Sequence, residues 1–122
     1  MNEITQINAV MLLLVIHYIA DFACQHPWMA NNKSKSAKPL LAHVLVYGGI
    51  LGTSVFFLYG YSAALTAFIL INSVSHGVVD YNTSRISSRL FKEEKYYKFF
   101  NILGIDQLTH QLVMIYSLNL FY

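Results

Sequence analysis

The chain contains three aspartates, and each stands four residues from a histidine: His17 with Asp21, His76 with Asp80 and, in reverse order, Asp106 with His110. On a helix four residues slightly exceed one turn, so each pair shares a face. Neutral imidazole and carboxylate are nitrogen and oxygen ligands suited to zinc, and also to Mn2+ or Fe2+. A further histidine, His43, lies in an apolar stretch of its own. The metal-ligand set expected from the sequence is therefore His17, Asp21, His43, His76, Asp80, Asp106 and His110. Seven ligands exceed the needs of one tetrahedral zinc. They suit two ions, or one ion whose histidines are oriented by outer carboxylates. An aspartate not bound to metal can accept a proton from an attacking water, so Asp21, Asp80 and Asp106 are also the expected catalytic residues.

Polar neighbours extend the pattern. Gln25 continues the His17–Asp21 stripe by another four residues, and Gln107 and Gln111 flank the last pair. Gln25, Gln107, Arg85 and Arg89 are the expected substrate-binding residues, with Lys33 a further cation able to hold a phosphate. The bland alternatives are interfacial polar packing for the glutamines and attraction to anionic lipid for the cations. His26, before Pro27 and Trp28, breaks the spacing and stays outside the site. Di-iron carboxylate bundles use Glu-x-x-His spacing, whereas Glu93 and Glu94 sit together in a charged link. The single cysteine, Cys24, reads as a small packing residue.

The elements that must position these groups follow from composition. Of 122 residues 56% are hydrophobic and 11% charged, against roughly 25% charged in a soluble domain. Such a chain cannot cover a water-facing surface, and the lipid bilayer is its expected surroundings. Four apolar stretches stand out, about Ile4–Gln25, Leu40–Tyr59, Ser62–Val79 and Ile102–Phe121. Each has the length that crosses about 30 Å of hydrocarbon as a helix. The first residues lack the basic segment of a secretory leader, so the first stretch is read as a retained helix. The expectation is one domain over 1–122, all-α, an integral membrane four-helix bundle.

The link from His26 to Lys38 reads as a loop, with Pro39 opening the second helix. Gly60-Tyr61 is a short turn that makes the second and third helices a hairpin. Gly48 and Gly52, one turn apart, permit close approach of a neighbouring helix, within the bundle or across a homodimer. The third link, Tyr81 to Asn101, reads as an amphipathic interfacial helix between helices three and four. In an up-and-down bundle His17 and Asp21, His43, His76 and Asp80, and Asp106 and His110 all fall at one membrane face. Every lysine and arginine lies in the two long links on that same side. The positive-inside rule makes that side cytoplasmic, with both termini outside. Trp28 there, and Tyr59, Tyr61, Phe121 and Tyr122 at the far side, suit the interfacial belts.

His17-x-x-x-Asp21-Phe22-x-x-Gln25, Leu41-x-His43, His76-x-x-x-Asp80 and Asp106-Gln107-x-x-His110 together resemble the small membrane-protein family known as domain of unknown function 3307. The resemblance covers nearly the whole chain. It implies a bacterial or phage protein of the inner membrane, and leaves the activity open. The His-x-x-x-Asp device is also similar to zinc ligands of the phospholipase C and P1 nuclease class and to membrane-bound metal-dependent hydrolases. The expected function is a metal-dependent hydrolase, zinc first, with one or two ions at a cytoplasm-facing site. Its expected substrate is a phosphoester or ester of a lipid or amphiphile. The runner-up is a non-catalytic binding or transport protein for a metal ion or small anion. Nothing in the small net charge of +2 points to nucleic acid.

Overall fold

A computed structural model describes the backbone of residues 3–122 and the side chains from Thr5 onward. The reading of the first residues as free of a basic leader lies outside those described residues. The described chain is all helical, with no strand among the described residues. Helix α1, Glu3–Tyr18, runs on through a π-helical turn, Ile19–Ala23. Then come α2, Pro27–Asn32, α3, Ala37–Tyr59, α4, Ala63–Lys92, and α5, Tyr96–Phe121. Three segments, Thr5–Ala23, Ala37–Tyr59 and Ala63–Lys92, are long and apolar enough to cross a membrane. Helix α5 has 26 residues. It opens on Tyr96-Tyr97-Lys98 and carries Asp106, Gln107 and His110, which makes it less apolar than the fourth crossing expected at Ile102–Phe121.

The long helices form a ring. α1 packs on α3 and α5, α3 on α1 and α4, and α4 on α3 and α5. Stacked rings of Tyr59 and Tyr122, 4.2 Å apart, tie the ends of α3 and α5 together. The glycine expectation holds within this ring. A Cβ on Gly52 would stand 2.6 Å from Ile69 Cδ1, and one on Gly48 would collide with Ser73 Oγ, so α3 and α4 touch closely along this seam. Burial is reversed relative to a soluble domain. Leu45, Phe57, Leu70, Val74 and Tyr116 are exposed, while seven histidines and aspartates, with Asn72 and Ser117, are buried. Side chains that water would drive inward face outward, as they do against hydrocarbon.

Two links differ from the expected ones. The first is not all loop. Pro27 opens α2 at a position where its missing N–H costs nothing, and His26 caps it, its Nδ1 accepting from the Trp28 N–H at 3.1 Å. Helix α3 then begins at Ala37, two residues before Pro39. The third link holds no separate interfacial helix. No glycine or proline interrupts 78–95, so α4 continues to Lys92 over 30 residues, about 45 Å. It turns at Glu93-Glu94-Lys95, where Glu94 takes a left-handed φ of 56°. The Lys95 ammonium, 2.6 Å from Glu93, holds that exposed carboxyl below its ordinary range. Cys24 is exposed at the end of the π-helical turn rather than packed inside.

Candidate metal centre

All seven expected ligands are buried, from 0% exposed at His43 to 7% at Asp106. They converge from α1 and its π-helical turn, α3, α4 and α5. The π-helical turn is local and specific: the Cys24 N–H reaches back to the Ile19 carbonyl at 2.8 Å, a five-residue step that breaks the α-helical register at Asp21. Such turns recur at functional sites. Here Asp21 stands 3.9 Å from His17 Nε2, beyond hydrogen-bond reach, and meets α3 and α4 instead.

The tightest contacts run between helices. Asp21 Oδ1 lies 3.0 Å from His43 Nε2 and 3.3 Å from His76 Nε2. Asp80 Oδ2 lies 3.2 Å from His43 Nε2 and 3.7 Å from His76 Nε2. The two Nε2 atoms are 3.0 Å apart. Four donors at zinc–nitrogen or zinc–oxygen bond lengths, arranged tetrahedrally, stand about 3.3–3.6 Å apart. The five separations given above, 3.0 to 3.7 Å, bracket that edge. The Nδ1 atoms of both imidazoles have no partner, so each ring is engaged through Nε2 alone. Where one of these nitrogens donates to the other, the accepting lone pair is left facing a carboxylate oxygen, whereas a divalent cation between them satisfies the lone pairs of both imidazoles and both carboxylates. The donor set fits a divalent ion.

A second group adjoins the first. His110 Nε2 lies 3.2 Å from Asp80 Oδ1 and 3.5 Å from Asp106 Oδ2. Ligand atoms of Asp21, Asp106 and His110 also lie within 4.8 Å of one another.

His17 stands apart from both groups. Its Nδ1 lies 3.3 Å from the Tyr47 hydroxyl and its Nε2 3.0 Å from Gln107 Oε1. An amide oxygen only accepts, so Nε2 carries the proton and Nδ1 accepts from Tyr47. Gln107 Nε2 then donates to Asp21 Oδ2 at 2.6 Å and to Asp106 Oδ2 at 3.0 Å. Both ring nitrogens of His17 are thereby engaged by Tyr47 and Gln107, outside the two groups. Gln107, expected to bind substrate, spends its whole amide in these contacts. Thr83 Oγ1 donates to Asp106 Oδ1.

A cavity of about 710 Å³ opens against this cluster, between the α2–α3 link, the second half of α4 and the start of α5. Asp80 and Asp106 border it, and Asp21 does not. Lys33 borders it too, with its Nζ 2.7 Å from Asp80 Oδ2. Arg89, expected at the substrate, lines the cavity with Lys35 and Lys92. Arg85 borders it as well, although its guanidinium is held over the Tyr81 ring at 3.7 Å. Gln25 is not among the lining residues, and it donates to the Asp21 carbonyl at 3.0 Å.

Tyr47, Thr83 and Ser84 are the site residues that the spacing argument missed. Tyr47 is 1% exposed and its ring stacks on His76, centroids 3.9 Å apart and nearly parallel. It follows His43 by four residues and Thr83 follows Asp80 by three, so the same helical stripe, extended past histidine and aspartate, finds both. No curated protein and no solved structure matches the chain significantly. The family of proteins of unknown function DUF3307 matches over residues 9–121. That match spans all four motifs and every residue of the cluster, and the chain belongs to the DUF3307 family.

Proposed function

We propose that this protein is a metal-dependent hydrolase of the bacterial inner membrane. In this reading it is a four-helix membrane bundle in which α5 makes the fourth crossing. The site opens toward the cytoplasm, where every lysine and arginine of the chain lies on the two long links, and both termini are outside. The observation that carries the reading is the approach of Asp21 Oδ1, His43 Nε2, His76 Nε2 and Asp80 Oδ2 to tetrahedral spacing beside a polar cavity. A bound divalent ion, zinc first, supplies Lewis acidity and a water of lowered pKa.

The residues of the chain provide the rest. Lys33, Lys35, Arg89 and Lys92 give the cavity a cationic rim, and Ser84 adds an unpartnered hydroxyl donor. Those are the groups that bind phosphate oxygens. Phe91, Phe99, Ile102 and Leu103 form an apolar wall of the same cavity. A headgroup phosphate with an apolar tail matches both surfaces, so the substrate class is a phosphoester of a lipid or amphiphile. Of the three aspartates expected to act in catalysis, Asp80 and Asp106 reach the cavity and can meet a substrate. Asp21 is confined to binding the ion.

The core beyond the cluster favours a one-sided site over a conduit. Leu51, Val55, Phe68 and Met114 are essentially inaccessible and pack together there. An ion path needs polar groups through the depth of the bundle, and among the described residues the Asn72–Ser117 hydrogen bond, 2.8 Å, is the one side-chain pair that continues inward from the cluster.

Metal analysis of detergent-purified protein is the test. Stoichiometric zinc, manganese or iron, lost in His76→Ala and His43→Ala, is the expected result, with turnover in a panel of phosphodiesters and lipid phosphates. Wild-type protein that retains no divalent ion sinks the metalloenzyme. Metal-dependent uptake into proteoliposomes without turnover replaces the hydrolase by a transporter.

A further inference from the structure

We infer that the centre is dinuclear, with a second divalent cation held by His110, Asp106 and Asp21 beside Asp80, and that this second ion is the one nearer the substrate cavity. The inference rests on the first ion proposed above and adds a neighbour to it. Asp80 carries the argument. Its Oδ2 faces His43 at 3.2 Å, and its Oδ1 faces His110 at 3.2 Å. One carboxylate thus presents an oxygen to each group, the disposition of a bridging ligand. Asp21 belongs to both groups as well.

His110 Nε2 is separated from Asp80 Oδ1 and Asp106 Oδ2 by 3.2 and 3.5 Å. These again lie near the edge of about 3.3–3.6 Å expected between donors on one small divalent ion. The ring centroids of His76 and His110 lie 4.0 Å apart with their planes inclined at 33°, so the two imidazoles offer ligands to adjacent positions. Two-metal hydrolytic sites place their ions about 3.5–4 Å apart.

The two positions differ in surroundings. The first has four protein ligands, of which only Asp80 borders the cavity. Four protein ligands are the mark of a closed, structural zinc site, whereas catalytic sites keep three and an open position. The second group has three ligands, Asp21, Asp106 and His110; Asp106 lines the cavity, and so does Asp80, whose Oδ1 faces His110. Ser84, 8% exposed and with its hydroxyl unpartnered, lines the same cavity. Charge points the same way. One divalent ion together with Lys33 balances the three aspartates, and a second ion leaves a positive excess for an anionic phosphate to neutralise.

The experiment is titration of the whole, chelator-stripped chain in detergent with Mn2+, read by elemental analysis and by electron paramagnetic resonance. Two Mn2+ per chain are expected, with the spin-coupled spectrum of ions a few ångströms apart. Asp106→Asn and His110→Ala should each lower the count to one and restore the six-line spectrum of an isolated ion. Circular dichroism and size-exclusion profiles identify any variant that has lost its fold, and the wild-type count and spectrum need no variant at all. One Mn2+ per chain with a six-line spectrum in the wild type overturns the second ion and leaves the first. Two Mn2+ retained in both variants overturn the assigned ligands. Uptake of neither Mn2+ nor, in a parallel titration, Zn2+ overturns the proposed function with it, and one Zn2+ per chain without Mn2+ overturns the second ion alone.

Discussion

At the residue level, the i±4 spacing of histidine and aspartate marks a shared helix face more than a bonded pair. The same-helix pairs are the loose ones, at 3.9 Å for His17–Asp21, 3.7 Å for His76–Asp80 and 3.5 Å for Asp106–His110. The closest contact is interhelical, 3.0 Å from His43 to Asp21. Each ligand is oriented by an element other than its own, which is why the relay through Tyr47, His17 and Gln107 matters. Gln107 makes three hydrogen bonds, two that join α5 to α1 and its π-helical turn, at His17 and Asp21, and one to its neighbour Asp106. Gln107→Leu leaves two carboxylate oxygens and an imidazole N–H without that partner. Loss of an outer-shell partner of this kind typically lowers metal affinity about 10–100-fold, and competition against a chromophoric chelator should show a fall in that range. Tyr47→Phe removes only the hydroxyl at the head of the relay, so a smaller loss is expected in the same assay.

Among the elements, the π-helical turn and the length of α4 decide where the groups go. The turn takes Asp21 off its α-helical register and into contact with His43 and His76. Uninterrupted α4 carries His76, Asp80 and Ser84 along one buried stripe, with half-buried Thr83 beside it, and lays Ser88 against the α2–α3 link. Ser88 Oγ stands 3.1 Å from Ser34 Oγ. In a Cys24→Ser background, Ser34→Cys combined with Ser88→Cys should therefore oxidise to an intramolecular disulfide, visible as a mobility shift reversed by reductant. An interfacial helix diverging from α4 after Val79 gives no such crosslink. The α3–α4 seam has its own test. Gly52→Leu puts a bulky side chain where a Cβ alone meets Ile69 at 2.6 Å. Overpacking typically costs about 1–3 kcal/mol, and thermal unfolding in detergent should begin correspondingly earlier.

For the whole molecule, the proposed ion bears on stability. Three buried carboxylates and four imidazoles in one cluster are expensive without a countercharge. A ligand bound at a hundred times its Kd adds about 2.7 kcal/mol to stability. Removing the ion with a chelator should lower the melting temperature on the order of 10 °C for a domain of this size, and added Zn2+ should restore it. Orientation is tested separately: a reporter fused after Tyr122 is expected to be active only outside the cytoplasm, and cytoplasmic activity overturns the proposed topology.

The sequence alone determined which residues belong together. Polar groups that recur every four positions in apolar helices have one common face, and four such faces with short or charged links can meet only at one end of the molecule. His17, Asp21, His43, His76, Asp80, Asp106 and His110 were legible for that reason, and so was the Gly48–Gly52 seam. The tertiary structure decided the division of labour. Which histidine faces metal-type donors and which faces an amide depends on interhelical distances of a few tenths of an ångström, and no spacing along one helix encodes those. Tyr47, a hydroxyl among many aromatics, gains its place only because α3 lays it across His76. The continuation of α4 past Val79 was hidden because hydropathy falls there while helix propensity does not. In His17-Tyr18-Ile19-Ala20-Asp21 the spacing identified the pair, and the π-helical turn, packed against α3, holds its members 3.9 Å apart.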